Sequence, residues 1–437
     1  MAKYQKYAEY QDSGIEWLGE IPNSWQVKKL KYLCKVTTGN KDTVNAVEDG
    51  KYPFFVRSQT VERINSIGAD CEAVLTAGDG VGVGKVYHYY KGKFDFHQRV
   101  YMLYDFGDVI GRFVYYYLSS NFYKVALEGN AKSTVDSLRL PQFLNFAFSL
   151  PTIKEQDWIV DFLDHETAKI DTLIAKQEKL IELLKEKRQA VISHAVTKGL
   201  NPNVPMKNSG VEWLGEVPEH WVIPRLKQLI KYGSSISYGI VQPGDALDEG
   251  IPFIQTTNIS KGSFELQDFQ KTSVAIESNY PRSRLEGGEV ILGIRASIGA
   301  AFVVPMSFKG VNLSRGIARI IPNALLKSDF LVWYFKSNAV DQYWGLSKQG
   351  STFSEVSIET VRELSVVVPP IDEQEKISEF LSFELGKLER LISSAENQKL
   401  LLLERRTALI SAAVTGKIDI RNWQAPSVIE ADTELSA

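Results

Sequence analysis

Cysteine and histidine are scarce in this chain: there are two of the first, Cys34 and Cys71, and five of the second in 437 residues. Neither cysteine stands in a CxxC or other ligand-like spacing. The histidines His88, His97, His165, His194 and His220 form no HxH or HExxH pair. A zinc site and a disulfide framework are therefore not expected, and a reducing, cytoplasmic setting is. No apolar run is long enough to cross a bilayer, and the opening "MAKYQKYAEYQDSG" has no apolar segment of the kind that directs export.

Catalytic signatures are missing as well. "GDGVGVGK" (78–85) resembles a phosphate-binding loop only in its glycines. Asp79 stands where that motif needs glycine, and Val86 where it needs serine or threonine. There is no GxSxG elbow. The dipeptide Pro-Asp, with which metal-nuclease carboxylate patterns begin, does not occur. Neither does any Asn/Asp-Pro-Pro-Tyr/Phe tetrapeptide of the adenine-methylating kind.

What is present is a folded-protein composition, 44% hydrophobic and 11% aromatic, over a length that exceeds one ordinary core. The net charge of −3 conceals an asymmetry. Residues 26–149 hold 16 Lys+Arg against 12 Asp+Glu, and residues 222–367 hold 15 against 13. Two mildly basic regions are thus joined by acidic parts, a distribution that permits nucleic-acid binding without requiring it.

The chain is written twice. "SGIEWLGEIPNSW" (13–25) returns as "SGVEWLGEVPEHW" (209–221), nine of thirteen positions identical at an offset of 196. "LPTIKEQDWIVDFLDHETAKIDTLI" (150–174) returns as "VPPIDEQEKISEFLSFELGKLERLI" (368–392) at an offset of 218. That match continues to "KRQAVISHAVT" and "RRTALISAAVT". Each half therefore reads as a shared lead-in, a variable region, a shared Pro–Glu-Gln hinge and a shared helix. Two such units make an internal repeat rather than a solenoid.

The shared final piece has helical periodicity. Leu163, Ile170, Gln177, Leu184 and Val191 recur every seven residues, with Glu166, Leu173, Leu180 and Lys187 as a second line three residues behind. Leu381, Leu388, Ala395, Leu402 and Leu409 keep that register in the second half, with Leu391 in the offset line. No glycine or proline interrupts residues 156–196, so a helix of about 40 residues and ~60 Å is expected. Such a seam requires a partner helix. The antiparallel duplicate is the expected one, and a separate protein for each helix is the alternative. Polar residues break the seam at Gln177, Gln398, Glu166 and Glu384, as register devices, subunit contacts or tolerated faces.

The variable regions read as mixed strand and helix with the same order of elements. "GKYPFFVRSQTV" and "GIPFIQTTNI" are strands ending in polar residues, and "GDGVGVGKVYHYY" and "GEVILGIRASIGAAFVVP" are strand–turn–strand units. "RFVYYYLSSNFYKVAL" and "DFLVWYFKSNAVDQYWG" read as short helices, and "GNAKSTV" and "KQGSTFSEV" as parallel polar loops. The fold class expected is mixed α/β (α+β), in five parts: 1–149, a spacer helix at 150–200, 201–367, a second spacer helix at 368–420, and a tail at 421–437.

The order of both repeats, the hinge "PTIKEQ"/"PPIDEQ" and the helices ending in "AVT" resemble, over essentially the whole chain, the specificity (S) subunit of type I restriction–modification systems. The resemblance implies two target recognition domains held by two antiparallel helices about an approximate two-fold axis, and a chain that performs no chemistry. It implies double-stranded DNA as ligand, with an asymmetric bipartite target. The implied protein partners are two methylation subunits, which use S-adenosylmethionine, and restriction/translocase subunits, which use ATP and magnesium. No cofactor is expected on this chain, and no membrane.

From the parallel segments, the candidate DNA contacts are Arg57, Ser58, Gln59, Arg99, Lys132, Ser133 and Thr134 in the first region. In the second they are Gln255, Thr256, Asn258, Arg295, Ser297, Arg315, Ser351 and Thr352. Arginine and glutamine suit guanine and adenine edges, and serine and threonine suit phosphates. Any one of these is also a plausible water-facing loop residue. Trp17, Trp25, Trp213 and Trp221 are expected to pack rather than to read DNA. Two other functional classes compete with the recognition subunit: an independent DNA enzyme with unrecognised catalytic residues, and a coiled-coil scaffold that binds no DNA.

Overall fold

The computed structural model describes residues 4–126, 138–261, 265–347 and 355–425. The chain divides into two compact units, Met1–Glu178 with Asn397–Ala437, and Lys179–Glu396.

In the first unit a six-stranded sheet runs in the order Lys35–Thr38, Val100–Tyr104, Ala69–Ala77, Tyr87–Phe96, Tyr52–Phe55, Glu62–Ile64. All neighbours are antiparallel except Tyr52–Phe55, which runs parallel to Tyr87–Phe96. The helix Gly111–Asn121 buries Phe113, Val114, Tyr117 and Leu118. They join a core that reaches Ile159, Phe162 and Leu163 of the first long helix and Ile410, Ala413 and Val414 of the second.

The second unit splits the same plan between two sheets. One has the order Ser237–Tyr238, Ile317–Ile320, Val290–Gly293, Ala301–Val303, and the other Gln270–Thr272, Ile251–Ile254, Asn312–Leu313. Its helices Ser328–Phe335 and Asn338–Ser347 lie over the segment "DFLVWYFKSNAVDQYWG" that reads as short helices. The strand registers align the two variable regions. Phe55 pairs with Phe96 as Ile254 pairs with Leu313, both in parallel. Ala77 pairs with Val100 as Gly293 pairs with Ile317, both antiparallel.

The repeated lead-in is a small hairpin. Tyr10–Asp12 pairs with Glu20–Pro22, and Met206–Asn208 with Glu216–Pro218. Its two glycines sit at positive φ in both copies, 69° and 64° for Gly14 and Gly19, 71° and 63° for Gly210 and Gly215. Side chains rarely tolerate that backbone, so both glycines of "SGxEWLGE" recur. The tryptophan that follows is locked to the hinge. Trp25 Nε1 donates to Glu155 at 3.2 Å and Trp221 Nε1 to Glu373 at 3.0 Å. The glutamine of each hinge closes the joint from the other side. Gln156 accepts from the Ile110 amide and donates to the Pro151 carbonyl, as Gln374 does with Lys327 and Pro369. Trp25 and Trp221 are fully buried, and Trp17 and Trp213 are partly buried in the same cores.

The long helices span Ile153–Lys198 and Ile371–Val414. Within each unit their segments run antiparallel. In the first, the Asp171 carboxylate accepts from Arg406 Nε at 2.7 Å and Nη2 at 3.2 Å, and Gln177 Nε2 donates to Gln398 Oε1 at 3.0 Å. In the second, Ile181 and Leu184 pack on Ile392 and Ala395 beside a Lys185–Glu396 pair at 3.7 Å.

The seam differs from the expected one in a single respect. Leu163, Ile170, Leu381, Leu388 and Leu409 are buried and Leu184, Val191 and Leu402 half-buried, but Leu173 and Leu391 are exposed. The second line runs four residues behind the first, through Thr167, Ile174 and Ile181, and through Leu385 and Ile392 in the duplicate. A heptad seam alternates three- and four-residue steps, and either step can lead. Here Thr167, Ile181, Leu385 and Ile392 on the four-residue line are buried and Ile174 half-buried, while Leu173, Leu180 and Leu391 on the three-residue line stay outside.

Candidate nucleic-acid interface

In the first unit three strand ends converge. Arg57 follows Tyr52–Phe55, Asp79 follows Ala69–Ala77, and Arg99 lies in the turn before Val100–Tyr104. The Asp79 carboxylate accepts from Arg57 Nη1 at 2.7 Å on one oxygen and from Arg99 Nη1 at 2.9 Å on the other. Gly80 carries the chain away at φ 75°. A cleft of about 320 Å³ opens beside this group, lined among others by Thr43, Arg57, Ser58, Asp79 and His97.

His97 is buried beneath the cluster. Its Nδ1 accepts the Arg99 backbone N–H at 2.9 Å, which places the ring proton on Nε2, 3.7 Å from Asp42 Oδ2. Burial, reinforced by the Arg57 charge, holds its pKa below the usual imidazole value. Hydrogen bonds from Thr43 and Gln98 hold the Asp42 carboxyl below its ordinary range. Around the cluster Gln59 Nε2 donates to the Lys85 carbonyl, and His88 Nε2 lies 2.9 Å from the Ser58 carbonyl oxygen.

The second unit repeats this geometry with other chemistry. By the strand registers Arg295 stands where Asp79 does, Thr256 where Arg57 does, and Gly316 where Arg99 does. Arg295 Nε donates to Glu355 Oε2 at 3.0 Å, with Nη2 on the same oxygen. Ala296 takes the turn at φ 58°, a backbone that side chains other than glycine seldom adopt and that marks a constrained site. Ser297 Oγ reaches the Thr256 carbonyl at 3.5 Å, and Gly316 lies against the Thr256 and Arg295 side chains. Arg315 is exposed, with no ion pair among the described residues. Gln255 Nε2 is engaged with Gln270, and the Asn258 side chain caps the Gln255 amide.

Arg57, Ser58 and Arg99 thus gather at one strand-end site, and Thr256, Arg295, Ser297 and Arg315 at its counterpart. Gln59, Gln255 and Asn258 lie on the flanks, occupied by local hydrogen bonds. Lys132, Ser133, Thr134, Ser351 and Thr352 lie outside the described residues. Sequence reasoning missed Asp79, His97 and Glu355. Asp79 was visible as the non-glycine residue of the glycine cluster. No local signal joins Glu355 to Arg295, which is 60 positions away.

Among the described residues no group of three or more His, Cys, Asp or Glu could hold a metal ion, and no helix is long and apolar enough to cross a membrane.

The sequence matches the profile of the type I restriction modification DNA specificity domain twice, over residues 22–183 and 218–402. The Escherichia coli type I restriction enzyme EcoDI specificity subunit is 24% identical over 446 residues, which is 96% of this chain and 94% of that one. The Escherichia coli EcoBI specificity subunit is 27% identical over 341 residues, 75% of this chain and 70% of its own. A solved structure, described as bearing on complex assembly and conformational transition of the type I R-M system, covers 90% of this chain and 98% of its own. Its TM-score is 0.66 at 15% identity, a likeness of fold. Two copies of one specificity domain, each closed by the same tryptophan–glutamate joint, place this chain in the type I restriction–modification DNA specificity family.

Proposed function

We propose that this chain selects the DNA target of a type I restriction–modification assembly and performs no chemistry itself. Its target is an asymmetric bipartite sequence, with one half-site for the region 1–149 and another for 201–367. One observation carries this: the frameworks of the two repeats coincide, strand pair by strand pair, while the side chains at their strand-end sites differ in charge and size. Two similar domains that read different bases specify an asymmetric site.

The same chain scaffolds its partners. The long helices leave Leu173, Leu180 and Leu183 exposed on one, and Leu391, Leu400, Leu401 and Leu403 on the other. Apolar side chains outside the seam are what a helical partner buries. The methylation subunits, carrying S-adenosylmethionine, are the partners proposed for these exposed side chains in each unit. ATP and magnesium belong to the restriction/translocase subunits.

Long-read methylome sequencing of the host with and without the gene tests the function. A split, asymmetric N6-methyladenine motif that vanishes on deletion supports it. An unchanged methylome in cells that express the chain and its methylation partner refutes it.

A further inference from the structure

We infer that Arg57 and Arg99, held by Asp79, select a guanine in the half-site of the first domain. The inference rests on the function proposed above and adds a base identity and a positioning residue to it.

Three observations carry it. Among the described residues each guanidinium gives one hydrogen bond, from Nη1 to Asp79, which engages one of its five N–H donors and leaves the other four for a ligand. Two adjacent donors on a planar fork match O6 and N7 of guanine in the major groove. The carboxylate between the arginines also cancels half of their charge and would repel a phosphate oxygen. Two arginines serving only the backbone gain nothing from it, whereas fixed geometry is what base reading needs. Finally, the floor of the site is rigid. The buried His97 ties the Arg99 backbone to the turn, and the Gly78 amide binds the Arg99 carbonyl at 2.8 Å. Asp79 is a positioning residue: it aims the arginines. The counterpart Arg295, with Thr256 and Gly316 in place of the arginines, presents other chemistry, so the second half-site is read differently.

The test uses the full chain in its methylation complex, with Arg57→Lys, Arg99→Lys and Asp79→Asn variants. The lysine variants keep the charge and lose the planar fork. The readouts are the cellular methylome and the binding of duplexes carrying each of the four base pairs at every position of the half-site. A G·C pair is expected in one half of the motif. At least one lysine variant should relax that position alone, losing about 5- to 150-fold in discrimination. The other half-site and the slope of affinity against salt should not change. Asp79→Asn should blur the same position with an unaltered unfolding midpoint.

Lysine variants that retain full discrimination overturn the inference. So does a loss of affinity spread evenly over all duplexes with a changed salt slope, which identifies phosphate contacts. In both cases the wild-type bipartite motif persists and the proposed function stands. Absence of any wild-type motif refutes the function instead.

Discussion

Glu155 is a buried carboxylate that takes its hydrogen bonds from Tyr7 at 2.6 Å and Trp25 at 3.2 Å. Replacing Trp25 by Phe removes the N–H together with the pyrrole half of a fully buried indole, at an expected cost of about 2–3 kcal/mol from the lost hydrogen bond and the cavity. Adding Tyr7→Phe leaves the carboxylate without either donor, and the double variant should lose more than the sum of the two singles. Urea unfolding of the four proteins of this cycle measures the excess. His97 gives a pH dependence. Its pKa lies below the unfolded value of about 6.5, so the unfolded chain binds more protons as pH falls. Stability of the first unit is therefore full above about pH 7 and declines as pH falls through and below about 6.5. A protonated ring also loses its Nδ1 acceptor for Arg99. His97→Asn should flatten this part of the profile of unfolding midpoint against pH.

At the scale of elements, adjacent residues of one helix have opposite roles. Ile181 is 9% exposed and packs on Ile392, whereas Leu180 is 43% exposed. Ile181→Ala should destabilise the second unit by about 2–4 kcal/mol, because it empties a packed site. Leu180→Ala should change stability by less than about 0.5 kcal/mol and weaken co-purification with a methylation subunit. Thermal melts and pull-downs of the two variants separate these effects. Both helices, the lead-ins as repeated segments and the hinge were legible in the sequence because duplication marks them and because a seven-residue period needs no tertiary information; that each lead-in is a hairpin was not. The phase of the second line was not legible. Leu173 and Ile174 are similarly apolar, and only the position of the facing helix selects Ile174 as the one that turns inward and is half-buried.

For the whole molecule, each domain should control its own half of the motif. Arg295→Ala should alter the half-site that Arg57→Ala leaves intact, as methylome sequencing of the two strains would show. Purified chain supplied with DNA, magnesium and methyl donor should give no turnover; any turnover favours an independent enzyme.

Sequence alone determined the two-fold repeat, the family resemblance, the packing role of Trp25 and Trp221, and the helices, all of which rest on local pattern or on one half copying the other. It also marked Arg57, Arg99 and Arg295 as candidate DNA contacts. Tertiary structure decided what those arginines meet. Asp79 comes to Arg57 across 22 positions and Glu355 to Arg295 across 60, through strand registers that no local pattern encodes. It also decided which apolar residues of the long helices are buried, since a seam is a property of two helices and a sequence presents them one at a time.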